Sequence, residues 1–325
     1  MSGSPRLRLG AGVVVASPAT SANLGPGYDS LGLALELRDR VSVSVSREGR
    51  GEPRASVVVR GHGTGMLPAD ESHLVARLIL EAWAERGADV SGLRLEIEAE
   101  NVIPHARGLG SSASAAVTAF SAADALFAEE DRLGAEWVFQ RASRWEGHPD
   151  NVAPAVFGGL TVSWPEDAPS RGEDRPRFRT HRAEVSPGVR AVVGIPGFEV
   201  STDAVRRALP EEVPHGVAAD NSARAALLTL ALTSAPELLL EATRDFLHQD
   251  ARAAAMLPSH EAMTSLRAEG VPAVVSGAGP TVLALVRSDD ERDAALAEFS
   301  RRGFECVTPE FARVGARVEE AAASR

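Results

Sequence analysis

The sequence predicts two α+β domains, and three observations carry that expectation. Segments with strand periodicity are interleaved with alanine- and leucine-rich helical segments along the whole chain. A stretch rich in proline, glycine and charge at residues 164–179 reads as the break between two units, 1–165 and 175–325. A strand, a glycine loop and a helix follow one another between residues 93 and 127. The chain has 325 residues, enough for two cores.

The elements follow in order. The apolar run 10–16 trails two arginines like a signal peptide, but it is short and leads straight into the motif at 18–32, so it reads as a buried strand. Residues 41–46 alternate valine with serine, the pattern of a half-buried strand, and 56–60 is another. Residues 70–86 form a helix with Leu74, Leu78 and Ala82 on one face and Gly87 as its stop. Residues 93–99 are a strand and 112–127 a helix, with Val117, Phe120, Ala123 and Phe127 near one face. Beyond the break come a strand at 191–195, a short helix at 201–209 capped by Ser201 or Thr202, and helices at 218–233 and 236–247. Strands at 272–276 and 281–287 flank a glycine turn, and a helix at 289–302 with two terminal strands completes the second unit.

Composition narrows the function. The hydrophobic and charged fractions, 44% and 24%, are those of a soluble globular protein. The net charge of -11 argues against nucleic acid, and no apolar run reaches the roughly 18 residues of a membrane span. Cys306 is the single cysteine, so no intrachain disulfide forms; it reads as a buried structural residue, and a cytoplasmic location is expected. No residue is lysine, so every fixed side-chain cation is an arginine.

The stretch Pro104-His105-Ala106-Arg107-Gly108-Leu109-Gly110-Ser111-Ser112-Ala113 is the most informative. Glycines allow a tight turn and close ligand approach. The helix that follows offers unpaired N–H groups and the positive end of its dipole, a cradle for phosphate. A plain glycine turn capped by serine is the other reading; Ser111-Ser112-Ala113 and Pro104 favour the cradle. A Walker A loop would need a lysine, and the dinucleotide pattern Gly-x-Gly-x-x-Gly is not completed.

Two further segments, Pro18–Gly32 with Ser21-Ala22-Asn23-Leu24-Gly25-Pro26-Gly27-Tyr28-Asp29, and Ser276-Gly277-Ala278-Gly279-Pro280-Thr281, complete a set. In order and spacing the three resemble the signature motifs of the GHMP small-molecule kinases. With Glu146-Gly147-His148-Pro149-Asp150-Asn151-Val152-Ala153-Pro154, the first is similar to the homoserine kinase family. The resemblance runs from about residue 13 to 286. It implies the GHMP kinase fold: an N-terminal β-α-β domain, a C-terminal ferredoxin-like domain, and the active site between them.

The resemblance also implies ATP-dependent phosphorylation of L-homoserine, a step of threonine biosynthesis. A GHMP kinase for a mevalonate- or shikimate-type alcohol is the alternative, and a nucleotide sensor on the same fold a more distant one. Pro104, Arg107, Gly108, Leu109, Gly110, Ser111, Ser112 and Ala113 would bind ATP, and Ser112 and Glu146 would hold Mg2+, which prefers hard oxygens. Glu146 could equally be an exposed helix-end glutamate. Arg206 and Arg252 match the carboxylate-binding arginines, with Thr202 assisting. Asp29 would pair with the ammonium, Asn23 would reach the reacting hydroxyl, and His148 would complete the pocket; Asn23 and Asp29 are also turn formers. Asp150 and Asn151 fall where some members carry a catalytic aspartate. If Asn151 holds that position, no side chain is the base and the proton leaves through phosphate or water. ATP and L-homoserine are the expected partners, a homodimer is allowed, and neither nucleic acid nor a membrane is expected.

Overall fold

The computed structural model describes residues 5–47, 54–166, 177–200 and 202–321. The valine–serine alternation has the expected effect: in β2 (Leu31–Arg47), paired antiparallel with β1 (Gly12–Ala22), Val41, Val43 and Val45 are buried while Ser42, Ser44 and Ser46 face outward. β3 (Ala55–Gly61) follows, then α1 (Leu74–Glu85), and β4 (Leu93–Asn101), which is antiparallel to β2 and parallel to β3. α2 (Ser111–Ala125) and α3 (Gly134–Glu146) cover one face of this sheet. Trp83, Phe120, Phe127 and Phe139 fill the core there, and the Trp83 indole donates to the Ala123 carbonyl at 2.9 Å.

The helix expected from residue 70 begins four residues later. Asp70 accepts from the N–H and hydroxyl of Ser72, which holds a turn, and His73 caps Val75 N. α4 (Val152–Phe157) leads into β5 (Leu160–Pro165), which pairs with the start of β2; β6 (Phe178–Ala183) pairs with β5. A division at 165/175 therefore cuts through the first sheet. The last strand also returns to it, as shown below.

After β7 (Arg190–Ile195) come α5 (Thr202–Arg207) and α6 (His215–Thr233). Residues 236–247 do not make one helix. A single 3-10 turn runs into α7 (Leu239–Ala242), and the chain then bends at Asp245, whose carboxylate accepts three backbone N–H groups. α8 (Gln249–Arg252), α9 (Leu257–Ala268), β8 (Ala273–Val275), β9 (Val282–Val286), α10 (Asp289–Arg301) and β10 (Glu305–Val307) follow. The second sheet is fully antiparallel in the order β10-β7-β9-β8. Numbered within the sheet this is 4-1-3-2, with helices in both crossovers: the ferredoxin-like arrangement. β11 (Arg317–Glu320) then pairs with β1 on the first sheet. Cys306, read from sequence as buried, is partly exposed because β10 is an edge strand.

One buried cluster joins the halves. Leu31, Leu33, Leu35 and Leu160 of the first sheet pack with Val189, Val193, Leu283 and Leu285 of the second and with Leu228 and Leu232 of α6. The segments that carry the motifs lie at the rim of this shared core. Among the described residues no helix is long and apolar enough to cross a membrane.

Asp39 of β2 fixes the exit of β4 toward the glycine loop. Its Oδ1 accepts from Val102 N at 2.7 Å and Ile103 N at 2.8 Å. Burial pushes its pKa up to about 6, against those two hydrogen bonds and nearby His62. A raised folded pKa means that stability is fully present below about 3.8 and is lost as pH rises through about 6. The interval corresponds to about 3 kcal/mol at most. Asp39→Asn keeps the acceptor oxygen and removes the buried charge. Urea midpoints should show Asp39→Asn gaining on wild type between pH 4 and 7. Asp39→Leu should lose about 1–3 kcal/mol for each stranded N–H. A pH-independent difference between Asp39→Asn and wild type would remove the buried charge from this account.

Candidate functional site

The glycine loop turns where only glycine fits. Gly108 and Gly110 have φ of 81° and 67°. A Cβ on Gly108 would lie 2.4 Å from the Ser276 carbonyl, and one on Gly110 would lie 1.9 Å from Thr20 Oγ1. Gly110 is the N-cap of α2 and offers no side chain, so the first N–H groups of that helix are left for a ligand. Two distant segments lace the loop in place. Thr20 N donates to Leu109 O at 3.1 Å, Thr281 N to Arg107 O at 3.1 Å, and Ser276 Oγ to Gly108 O at 2.6 Å.

A cleft of about 270 Å³ opens above the loop. It brings together Asn23 and Asp29; Gly108, Gly110, Ser111 and Ser112; Glu146, His148, Asp150 and Asn151; and Arg206 and Arg252, with Gly277–Gly279 as a third wall. Pro104 and Arg107 line instead an adjoining pocket of about 430 Å³, with His62, Met66, Leu67, His105 and Glu199. Leu109 and Ala113 are buried beneath the loop, where their backbone shapes it but their side chains meet only the core. Thr202 lies in α5, and its side chain is outside the described residues. A larger cavity of about 640 Å³, lined by Val185, Val189, Arg190 and Phe311, contains none of the motif residues.

α3, which sequence periodicity did not reveal, delivers Glu146 at its last position before Gly147. Ser112 Oγ donates to Glu146 Oε2 at 3.2 Å, and burial, with Asp150 nearby, raises the Glu146 pKa. Glu146 is thus a half-buried carboxylate rather than a fully exposed helix end. His148 Nδ1 and Asp150 Oδ1 are 2.5 Å apart. Burial opposes a charged imidazole, but the Asp150 hydrogen bond and the charges of Asp150, Glu146 and Asp29 prevail and raise the His148 pKa. Donor atoms of Asp29, His148 and Asp150 lie within 4.8 Å of one another, close enough to share a cation. Asn151 accepts from Thr20 Oγ1 at 2.8 Å.

Asp29 faces Arg206, with Oδ1 3.3 Å from Nη2. Burial raises its pKa, Asp150 adds to the effect, and Arg206 opposes it. Asn23 joins two walls: its Nδ2 donates to Gly277 O at 2.9 Å and its Oδ1 accepts from Asp29 N at 2.9 Å. One Asn23 N–H remains for the cleft. The positive-φ non-glycine residues among the described positions are Asn23, Leu24, Asp29 and Ala106, all in the first and glycine loops. Such strain gathers where a binding surface dictates the backbone.

Sequence reading missed the supports of these residues. Thr20 and Ser276 lie within the motifs but had no role assigned, and Asn221, Asp245, His248 and Gln249 lie outside them, yet all six hold the loops. Asn221 Nδ2 donates to Pro26 O at 2.9 Å, and Gln249 Oε1 accepts from Val275 N at 2.7 Å. The one signal available was the i,i+4 spacing of His248 and Arg252, which puts both on one face of a helical turn.

Residues 73–159 match the GHMP kinases N terminal domain and residues 223–305 match GHMP kinases C terminal. The chain is 47% identical over 281 residues to the homoserine kinase of Corynebacterium kroppenstedtii, covering 86% of this chain and 87% of that one. It is 46% identical over 296 residues to the homoserine kinase of Clavibacter michiganensis, covering 91% and 89%. Among solved structures, homoserine kinase from Cytophaga hutchinsonii superposes with a TM-score of 0.78 at 23% identity, covering 95% of this chain and 97% of that one. L. major mevalonate kinase in complex with R-mevalonate gives 0.62 at 16%, covering 96% and 98%. The chain belongs to the GHMP kinase family.

Gly110→Ala tests the cradle. The added methyl would meet Thr20 Oγ1 at 1.9 Å and Asn151 Oδ1 at 2.9 Å, at a residue with positive φ. Displacing the loop by about 1 Å should lower kcat/KM by about two orders of magnitude while circular dichroism still reports a folded chain. Wild-type kinetics in this variant would mean that the loop does not hold the triphosphate.

Proposed function

We infer that this GHMP kinase transfers the γ-phosphoryl group of ATP to the side-chain hydroxyl of L-homoserine, giving O-phospho-L-homoserine and ADP. One observation carries the choice of substrate. Beside the glycine loop stand a carboxylate, Asp29, and two guanidiniums, Arg206 and Arg252, arranged for a small zwitterion. Without substrate, Asp29 and Arg206 face each other. An amino acid entering the cleft exchanges that pair for two, its ammonium against Asp29 and its carboxylate against the arginines. A mevalonate- or shikimate-type alcohol has no ammonium and would leave Asp29 without its partner.

The loop backbone and the α2 N-terminus hold the triphosphate. The pocket beside it, with Met66, Leu67 and Pro104 as apolar walls and His62 and His105 at its polar edge, takes the nucleobase. The hydroxyl of Ser112 and the carboxylate of Glu146 are hard oxygen donors 3.2 Å apart at the helix mouth, a set that fits Mg2+. The metal, when bound, would neutralise charge on the β- and γ-phosphates.

Asp150 and Asn151 both line the cleft where some family members carry a catalytic aspartate. If Asn151 holds that position, its carboxamide takes no proton and its oxygen is already engaged by Thr20, so its role would be to orient the substrate. The hydroxyl proton leaves through the γ-phosphate or a water. A loose transition state tolerates this, because the nucleophile gains little charge early. The paired His148 and Asp150 shape the polar wall and keep the ammonium end of the cleft negative.

Ser112→Ala and Glu146→Gln should each lower kcat strongly, with a smaller rise in homoserine KM, because they act most on the transition state. Steady-state kinetics at saturating Mg2+ and ATP measure this. Wild-type turnover by Glu146→Gln would take Glu146 out of the site.

Asp29→Asn should raise homoserine KM and narrow the preference for homoserine over 4-hydroxybutyrate, which lacks the ammonium. The readout is kcat/KM for both alcohols with both enzymes. An unchanged ratio would show that Asp29 does not read the amine.

A further inference from the structure

The first loop belongs to the N-terminal half of the chain and Arg252 to the C-terminal half, yet a single buried side chain touches both. His248 has no exposed side-chain surface. Its Nε2 is 2.8 Å from Gly25 O, and its Nδ1 is 3.1 Å from Arg252 Nη1. A carbonyl only accepts and a guanidinium only donates. The imidazole must therefore carry its proton on Nε2 and present a lone pair at Nδ1, neutral and in one tautomer. Burial pushes its pKa below the ordinary value; Asp245 opposes this and Arg252 adds to it.

The surroundings leave His248 no other arrangement. Asp245, buried and 3.6 Å from Nε2, spends its oxygens on the N–H groups of Leu247, His248 and Gln249. The Tyr28 ring lies 5.3 Å from the imidazole, and the Arg252 guanidinium sits 5.5 Å above that same ring. Arg252 itself is buried, and among the described residues its Nε has no hydrogen-bond partner. A buried donor without a partner is costly, so this guanidinium is kept for a ligand. Gly25 is equally constrained, since a Cβ there would lie 2.6 Å from the Thr243 carbonyl. The imidazole is the rigid spacer between a loop that reads an ammonium and a guanidinium that reads a carboxylate.

We propose that His248 is a positioning residue for the amino-acid subsite: its Nε2–H tautomer fixes the separation between the Asn23–Asp29 loop and Arg252, and so selects substrates that carry ammonium and carboxylate on one carbon. This rests on Arg252 gripping the carboxylate, as inferred above. A residue that only stabilised the fold would lower the active fraction without distinguishing one substrate from another.

The experiment compares L-homoserine with L-homoserine amide, which keeps the ammonium and hydroxyl but lacks the carboxylate. In His248→Leu, homoserine KM should rise about tenfold or more, the scale of a lost hydrogen bond to a charged group. KM for the amide, KM for ATP and kcat should stay within about threefold. His248→Gln, whose carboxamide can donate to Gly25 O and accept from Arg252, should recover most of the homoserine KM. If His248→Leu does not fold, His248→Ala is scored on the same two substrates. In the wild-type protein, nitrogen-15 NMR of the histidines should show His248 as the neutral Nε2–H form near neutral pH. Equal KM increases for both substrates, a fall in kcat alone, or an Nδ1–H or doubly protonated ring would overturn the proposal. Arg252→Ala separates the two levels of the argument. If it leaves the homoserine-to-amide preference intact, the carboxylate role of Arg252 fails and the proposal fails with it. If Arg252→Ala removes the preference and His248→Leu preserves it, only the proposal fails.

Discussion

The site depends on hydrogen bonds that tie loops from opposite ends of the chain through backbone carbonyls. Ser276 Oγ reaches Gly108 O and the Ser21 hydroxyl, Asn23 Nδ2 reaches Gly277 O, and Gly277 N donates to Ala22 O. A phosphate cradle made of backbone N–H groups works only while those groups converge, and a loop with two glycines at positive φ has no intrinsic preference for doing so. The neighbouring loops impose the conformation. This is why the second sheet matters to a site whose phosphate ligands all come from the first half of the chain. The leucines and valines shared between the sheets hold the halves in register, and the short polar contacts at the rim convert that register into loop geometry.

Charge in the cleft is arranged to be exchanged rather than created. Asp29, Glu146, His148 and Asp150 share with Arg206 and Arg252 one cleft of about 270 Å³. Burial raises the Asp29 and Glu146 pKa values because ionised carboxylates lose hydration there, and the cations only partly compensate. In the proposed reading an incoming ammonium would supply positive charge beside the carboxylates, and an incoming carboxylate would give Arg252 an anionic partner beside its contacts to His248 and Gly277. Binding a zwitterion therefore restores what desolvation removed, without forcing net charge into the cleft.

The sequence made much of this legible because glycine and proline punctuate the three motifs and because strand alternation at residues 41–46 has only one good reading. Of the candidates from those motifs, Asn23, Asp29, Gly108, Gly110, Ser111 and Ser112 converge on the cleft. Some fold features were missed. α3 went unread although Val138, Phe139, Ala142 and Ser143 recur at helical spacing on its buried face, and the break near Asp245 depends on one carboxylate capping three N–H groups that no periodicity announces. β6 and β11 join the first sheet although they lie beyond residue 175, because they are short, polar strands whose membership is settled by their partners. Pro104 and Arg107 line the adjoining pocket instead, although Ala106 and Gly108 beside Arg107 line the cleft. The supporting residues were invisible for a more general reason. His248 and Ser276 act through distances to backbone atoms, and a one-dimensional sequence does not carry distances.

The absence of lysine shapes what remains. A lysine at a phosphate loop is a mobile point charge whose proton affinity responds to burial. Here the positive field comes from the helix dipole, backbone N–H groups and arginines, which stay protonated throughout the physiological range. The cationic side of the cleft is therefore nearly fixed, both in charge and in the planar fork geometry of the guanidiniums. What can still titrate is the opposing side, His148 with Asp29 and Glu146, whose pKa values are all raised. Variation in the electrostatics of the site then resides in His148, Asp29 and Glu146, while the arginines and the helix N-terminus hold constant.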